Sequence, residues 1–149
     1  MSATMQATPD RRKQNHHLVS ELQQERRQVW SLYCKVADLK PFPSLPETKS
    51  IVTEFSQLLI DYISLGHFGI YEYLLSGKER REKVLNAAKS IYPEFSKTTE
   101  AAMSFNDKYD DSLKRKFKTN ELEEDLSALG ESLAKRIELE DDLCRLVLK

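Results

Sequence analysis

From Leu18 the apolar residues fall at Leu18, Leu22, Val29, Trp30, Tyr33 and Val36, a spacing that places them along one face of a first long helix. That run ends before Pro41. The segment from Pro41 to Lys49 carries Pro41, Pro43 and Pro46 and forces extended or turn geometry, so Thr48 or Ser50 is expected to cap a second helix whose apolar residues begin at Ile51. This second helix is expected from about Ser50 to Leu75. Phe55, Leu59 and Tyr62 make one stripe on it and Ile60, Ile63, Ile70 and Leu74 another, and a helix apolar on more than one face belongs in the middle of a bundle. Gly66 and Gly69 each weaken it by up to about 1 kcal/mol relative to alanine, which predicts a kink or the close approach of another backbone.

Ser76-Gly77 is expected to end that helix, and a shorter one follows from about Lys78 to Ile91, stopped by Pro93. Another is expected from about Glu94 to Lys116, carrying Phe95, Ala102, Met103, Phe105, Tyr109 and Leu113. The last opens near Asn120, where Leu122, Leu126, Leu129 and Leu133 follow at spacings of four, three and four and make one seam. Continued arithmetically, the seam meets Arg136 and Glu140 before returning to Leu143 and Val147. Two readings of that ionic pair are open. Either the helix rotates so that Ile137, Leu139 and Leu146 pack, leaving a surface pair of about 0.3–0.5 kcal/mol, or the pair belongs to a partly buried polar network that marks a specific contact. The pattern as a whole predicts an all-α fold, a single-domain antiparallel helical bundle with about four long helices and one shorter one. The bundle is expected over residues 14–149, after a flexible, polar N-terminal arm over residues 1–13 that includes Arg11, Arg12 and Lys13.

Composition narrows the function classes. At 149 residues, with 40% apolar and 32% charged, the chain suffices for one continuous core but not for two. A formal charge of -1 lacks the excess of Lys and Arg that displaces counterions from phosphates, so no direct DNA binding is expected. The acids concentrate late: residues 119–149 hold nine acids against four bases. Cys34 and Cys144 show no CxxC or Cys/His metal spacing and are expected to be small buried thiols in a reducing cytoplasm. The first residues lack the apolar stretch of a signal peptide and no run approaches bilayer length, so a cytoplasmic protein without membrane contact is expected.

Catalytic and metal chemistry find little support. His67 has no second His, Cys or suitably spaced carboxylate within a turn or two, and packing or a hydrogen bond accounts for it. The adjacent His16 and His17 point in different directions on a helix, which is poor metal geometry. No phosphate-cradling glycine loop, nucleophile elbow or catalytic carboxylate pair is present, so no catalytic residue, metal or cofactor is expected, and the protein is read as a non-enzyme. One face of the second helix is more informative. Asp61, Leu65, Phe68 and Glu72 follow at spacings of four, three and four, mixing two acids with two large apolar groups, as suits a partner with basic and apolar features.

The run Asp61-Tyr62-Ile63-Ser64-Leu65-Gly66-His67-Phe68-Gly69-Ile70-Tyr71-Glu72 resembles the core pattern of the regulator of sigma D and AlgQ family of anti-sigma factors, Asp-Tyr-x-Ser-x-Gly-His-Phe-x-x-Tyr-Glu. Leu129-Gly130-Glu131, Leu133-Ala134, Arg136 and Leu139-Glu140-Asp141 resemble that family's closing helix. Weaker similarities lie in Ala87-Ala88-Lys89, Tyr109-Asp110, Ser112-Leu113, and Leu18-Val19 with Arg26 and then Leu39-Lys40-Pro41. The chain departs from the pattern in its first helix, with Ser20, Glu21 and Leu22 where the family carries an Asp-Arg-Trp run. The resemblance implies a helical bundle that binds region 4 of the bacterial primary sigma factor, of the sigma 70 type. It also implies that the protein blocks the promoter and core RNA polymerase contacts of that region. Asp61, Leu65, Phe68 and Glu72, together with Arg136 and Glu140, are the candidate partner-binding residues. The alternative reading is a helical adaptor that binds a different regulatory protein.

Overall fold

The computed structural model describes residues 9–40, 46–74, 79–109 and 120–148. Among these are four α-helices: α1 (Pro9–Ala37), α2 (Pro46–Ser64), α3 (Glu82–Tyr109) and α4 (Leu122–Val147), with a π-helical segment, Leu65–Tyr71, continuing α2. Both α1 and α2 begin on a proline, a residue favoured at the first helical position because its ring presets φ and its missing N–H would have had no partner there. Proline therefore opens α2 four residues before the expected start near Ser50. Thr48 sits buried inside the first turn instead of capping it. In α1 the helix includes residues 9–13, which were expected in the arm, whereas residues 1–8 lie outside the described residues.

A larger difference concerns Pro93. The expected stop between a short helix and a long one is absent, and α3 runs through it. Proline removes the hydrogen bond to the carbonyl of Lys89, but Lys89 and Pro93 both face solvent, so water can satisfy that carbonyl. Ala88 and Phe95 are buried on either side and hold the helix to its neighbours. The expected end of the second helix at Ser76-Gly77, and residues 110–116 of the expected fourth, lie outside the described residues.

Cross-helix contacts run in opposite directions for every neighbouring pair, which defines an antiparallel four-helix arrangement in the cyclic order α1, α2, α3, α4. Between α1 and α2, Tyr33 meets Phe55 and Leu22 lies near Gly66. From α2 through the π segment, Ser56 bonds Asn106 at 2.6 Å and Tyr71 donates to the Ala88 carbonyl of α3. Between α3 and α4, Thr98 meets Arg136 and Tyr109 donates to Asp125. Between α4 and α1, Tyr33 donates to the Leu126 carbonyl at 2.8 Å and Arg26 to Asp141 at 2.9 Å.

The core follows the sequence period. Val19, Leu22, Val29, Leu32 and Val36 come from α1, and Phe55, Leu59, Tyr62 and Ile63 from α2. Cys144 is buried as expected, but Cys34 is exposed, because the inward positions around it, Leu32, Tyr33 and Val36, turn it to the outside of α1. Trp30 is likewise partly exposed and stacks on Tyr33 with ring centroids 5.1 Å apart. Gly130 makes room for Tyr33: a Cβ there would stand 2.9 Å from the Tyr33 Cζ. No described helix is long and apolar enough to cross a membrane.

Candidate functional site

The α4 seam runs without rotation. Leu122, Leu126, Leu129, Leu133, Arg136, Glu140, Leu143 and Val147 are all buried, so the arithmetic holds through the two ions, and Arg136 (0% exposed) and Glu140 (3%) lie inside the bundle. Of the two readings left open by the sequence, the buried network is the observed one. Arg136 donates through Nε to Glu140 Oε2 at 3.1 Å and through Nη1 to the hydroxyls of Thr98 and Thr99 at 3.1 and 2.9 Å. Its Nη2 donates to the Ile63 carbonyl at 3.3 Å, and its plane lies 3.9 Å over the Phe95 ring.

Glu140 accepts a hydrogen bond from the Tyr62 hydroxyl and lies 3.5 Å from Arg26, which also pairs with Asp141. Two cations and two anions thus balance, with contributions from all four helices. Burial pushes the Glu140 carboxyl above the usual range, against the pull of Arg136, Tyr62 and Arg26. Burial likewise raises the Tyr62 hydroxyl, and the negative charge of Glu140 adds to it, so Tyr62 stays a donor. An ion pair taken out of water is a weak source of net stability, but removing one partner costs about 3–5 kcal/mol because the other is left uncompensated.

The network explains the glycine that precedes His67. A Cβ on buried Gly66 would stand 2.9 Å from Arg136 Nη2 and 3.3 Å from Glu140 Oε2. The expected close approach at this glycine is therefore real, but it comes from a pair of side chains and not from a backbone. At the same point the chain widens into the π segment, in which the Glu72 N–H donates to the His67 carbonyl five residues back. His67 Nδ1 lies 3.1 Å from the Thr99 hydroxyl, and its ring stacks on Phe95 at 5.8 Å. Burial, and then the Arg136 charge, lower its pKa while Glu72 opposes them, which favours the neutral imidazole.

Above this layer lies the face anticipated from the spacing. Asp61, Phe68 and Glu72 are exposed and Leu65 is half-buried. Phe68 is 58% exposed, the largest exposure among the large hydrophobic residues described, while its neighbour Tyr71 is buried. Neither Asp61 nor Glu72 has an ion-pair partner among the described residues. Asp61 stands near Glu25, whose carboxyl is raised first by burial and then by the charges of Glu21 and Asp61. The six candidate residues therefore divide into an outer set, Asp61, Leu65, Phe68 and Glu72, and an inner pair, Arg136 and Glu140. Gly66, on the same π segment as Leu65 and Phe68, lies against the inner pair.

Sequence reasoning missed Arg26, Tyr62, Thr98 and Thr99 as members of the network. One signal was available: Thr98 sits between Phe95 and Ala102 at spacings of three and four, a polar residue at a core position. The exposed Tyr92 carries no such signal.

The protein is thus an antiparallel four-helix bundle that displays two carboxylates and an exposed aromatic ring over a buried ion network. Comparison with known proteins makes the assignment specific. The chain matches the family of regulators of the RNA polymerase sigma(70) subunit, Rsd/AlgQ, over residues 1–148, and it belongs to that family. Regulator of sigma D from Shigella dysenteriae serotype 1 is 33% identical over 144 residues, covering 93% of this chain and 89% of its own. The protein of that name from Escherichia coli has the same identity and coverage. The one from Yersinia enterocolitica is 29% identical over 132 residues, covering 87% of this chain and 79% of its own. No solved structure matches the chain.

Proposed function

We propose that this protein binds region 4 of the primary sigma factor through Asp61, Leu65, Phe68 and Glu72, and so blocks the promoter DNA and core RNA polymerase contacts of that region. The observation that carries the reading is Phe68, 58% exposed on the π segment and flanked by two carboxylates without ion pairs among the described residues. An exposed aromatic is an anchor of the kind that dominates interface energetics, and carboxylates around it favour a basic partner. A helix-turn-helix that grips DNA phosphates offers such a surface. Arg136 and Glu140, being buried, act as positioning residues: they fix Gly66 and hence the direction in which Phe68 and Asp61 point.

Regulation by occlusion follows from charge. A chain of net charge -1 lacks the basic surface needed to hold duplex DNA, so the protein and the duplex compete for one surface of the sigma factor. The test is a titration of labelled −35 element duplex bound to isolated sigma region 4. Release of free DNA as this protein is added is the expected result; a supershifted complex of all three components would overturn the occlusion mechanism.

A further inference from the structure

Tyr92 is 40% exposed on α3, a helix that carries none of the outer residues named above. Its ring centroid stands 5.9 Å from His67, which in turn stands 5.0 Å from Phe68. Two exposed rings from different elements are thus joined through one imidazole into a continuous patch. Buried Tyr71 backs Tyr92, with ring centroids 5.3 Å apart. Glu72 adjoins the patch through the backbone, its N–H donating to the His67 carbonyl, and its side chain is exposed. Among the described residues, Glu72 has no ion pair and the Tyr92 hydroxyl has no hydrogen bond.

One layer deeper the same combination of groups is already filled. Arg136 lies over the Phe95 ring at 3.9 Å while its Nε holds Glu140 at 3.1 Å, and Phe95 in turn stacks with Tyr71 at 4.7 Å. Guanidinium is the side-chain group that satisfies a ring face and a carboxylate together, since it is planar, weakly hydrated and forked. A lysine ammonium matches the charge but not the plane. A neutral imidazole in the middle of the outer patch does not repel an incoming cation.

We propose that Phe68, His67, Tyr92 and Glu72 form a receptor for one arginine of the sigma factor, which stacks on the Tyr92 ring and pairs with Glu72. The binding face then crosses from the π segment onto α3. This rests on the function proposed above and adds to it both a second helix and the chemistry of the group received.

The experiment is a double-mutant cycle on the full chain, measuring affinity for isolated sigma region 4 by calorimetry for wild type, Tyr92→Ala, Glu72→Gln and the double variant. Each single change is expected to weaken binding about tenfold, and the double variant about tenfold to thirtyfold, because both changes remove contacts to one shared group. Tyr92→Phe, which keeps the ring face, is expected to bind as wild type. Losses that multiply to about a hundredfold describe independent contacts and overturn the shared arginine. Unchanged affinity in Tyr92→Ala, with Asp61→Ala weakened, overturns this inference and leaves the proposed function standing. No complex with the wild-type chain overturns both.

Discussion

Gly66→Ala and Gly69→Ala are the same chemical change three residues apart in one helical segment, and the structure gives them different outcomes. In an ordinary helix each replacement adds about 1 kcal/mol of stability from backbone propensity. At Gly69 the new methyl group meets only the side chain of Leu65 one turn back, with Cδ1 at 3.1 Å, the tip of a half-buried and flexible group. That contact costs little, and Gly69→Ala is expected within about 1 kcal/mol of wild type on either side. At Gly66 the methyl group meets Arg136 Nη2 at 2.9 Å and Glu140 Oε2 at 3.3 Å.

The Arg136 head has no free direction in which to yield. It is held by Glu140, Thr98, Thr99 and the Ile63 carbonyl and lies against Phe95. Loss of one hydrogen bond to a charged group costs about 1.5–3 kcal/mol, and separation of the buried pair about 3–5 kcal/mol. Set against the gain of about 1 kcal/mol in propensity, the net for Gly66→Ala is a destabilisation of about 1–4 kcal/mol. For a chain of this size each kcal/mol lowers Tm by about 2–4 °C. The assay is urea and thermal unfolding followed by circular dichroism, run on both variants and on Gly66→Ala in an Arg136→Met, Glu140→Gln background. The penalty should largely vanish in that background. A Gly66→Ala protein as stable as Gly69→Ala would refute the reasoning.

Other consequences can be checked separately. Gly130→Ala drives the Tyr33 phenol away from the Leu126 carbonyl and should destabilise by about 1–3 kcal/mol, with Tyr33→Leu in the same chain recovering most of the loss in a urea titration. Because the folded-state pKa of His67 is lowered, the unfolded chain binds more protons as pH falls below about 6.5. Stability should therefore decline with acidification from that point, and His67→Gln should flatten this part of a pH series of unfolding midpoints. Asp61→Ala should weaken sigma binding while leaving the melting curve in place, because its exposed carboxylate leaves no cavity; unchanged affinity with unchanged helicity would remove Asp61 from the face. Raised salt should slow association more than it speeds dissociation, and Phe68→Ala should mainly raise the off-rate, as stopped-flow measurement would reveal.

The parts of the fold that depend on repetition were legible in the sequence. The α4 seam could be counted from Leu122 to Val147, and the count reached Arg136 and Glu140 but left open whether they pack inside or form a surface pair. The parts that depend on what stands opposite were not. Whether Pro93 stops a helix depends on whether the Lys89 carbonyl faces water, and whether Cys34 is buried depends on which side of α1 meets α2. The spacing of Asp61, Leu65, Phe68 and Glu72 put these four on one side of a helix, yet Tyr92 lies on another helix, and no spacing within one helix reaches it. Gly66 was marked as a place of close approach, but its reason, a guanidinium arriving from a helix seventy residues later, exists only in three dimensions.

The ion cluster drawn from four helices also bears on how the molecule opens. If α4 swings out alone, Arg26 and Tyr62 lose Glu140, and Thr98 and Thr99 lose Arg136. Opening of α1 alone likewise strips Arg26 from Glu140 and Asp141. Partial opening thus incurs much of the electrostatic cost of complete opening and gains little of the chain entropy. Backbone amides around Ile63, Thr98 and Glu140 should therefore exchange with deuterium in a single cooperative event at the global unfolding free energy. Those near Lys108 and Glu121, held by half-exposed ion pairs, should exchange through smaller local fluctuations.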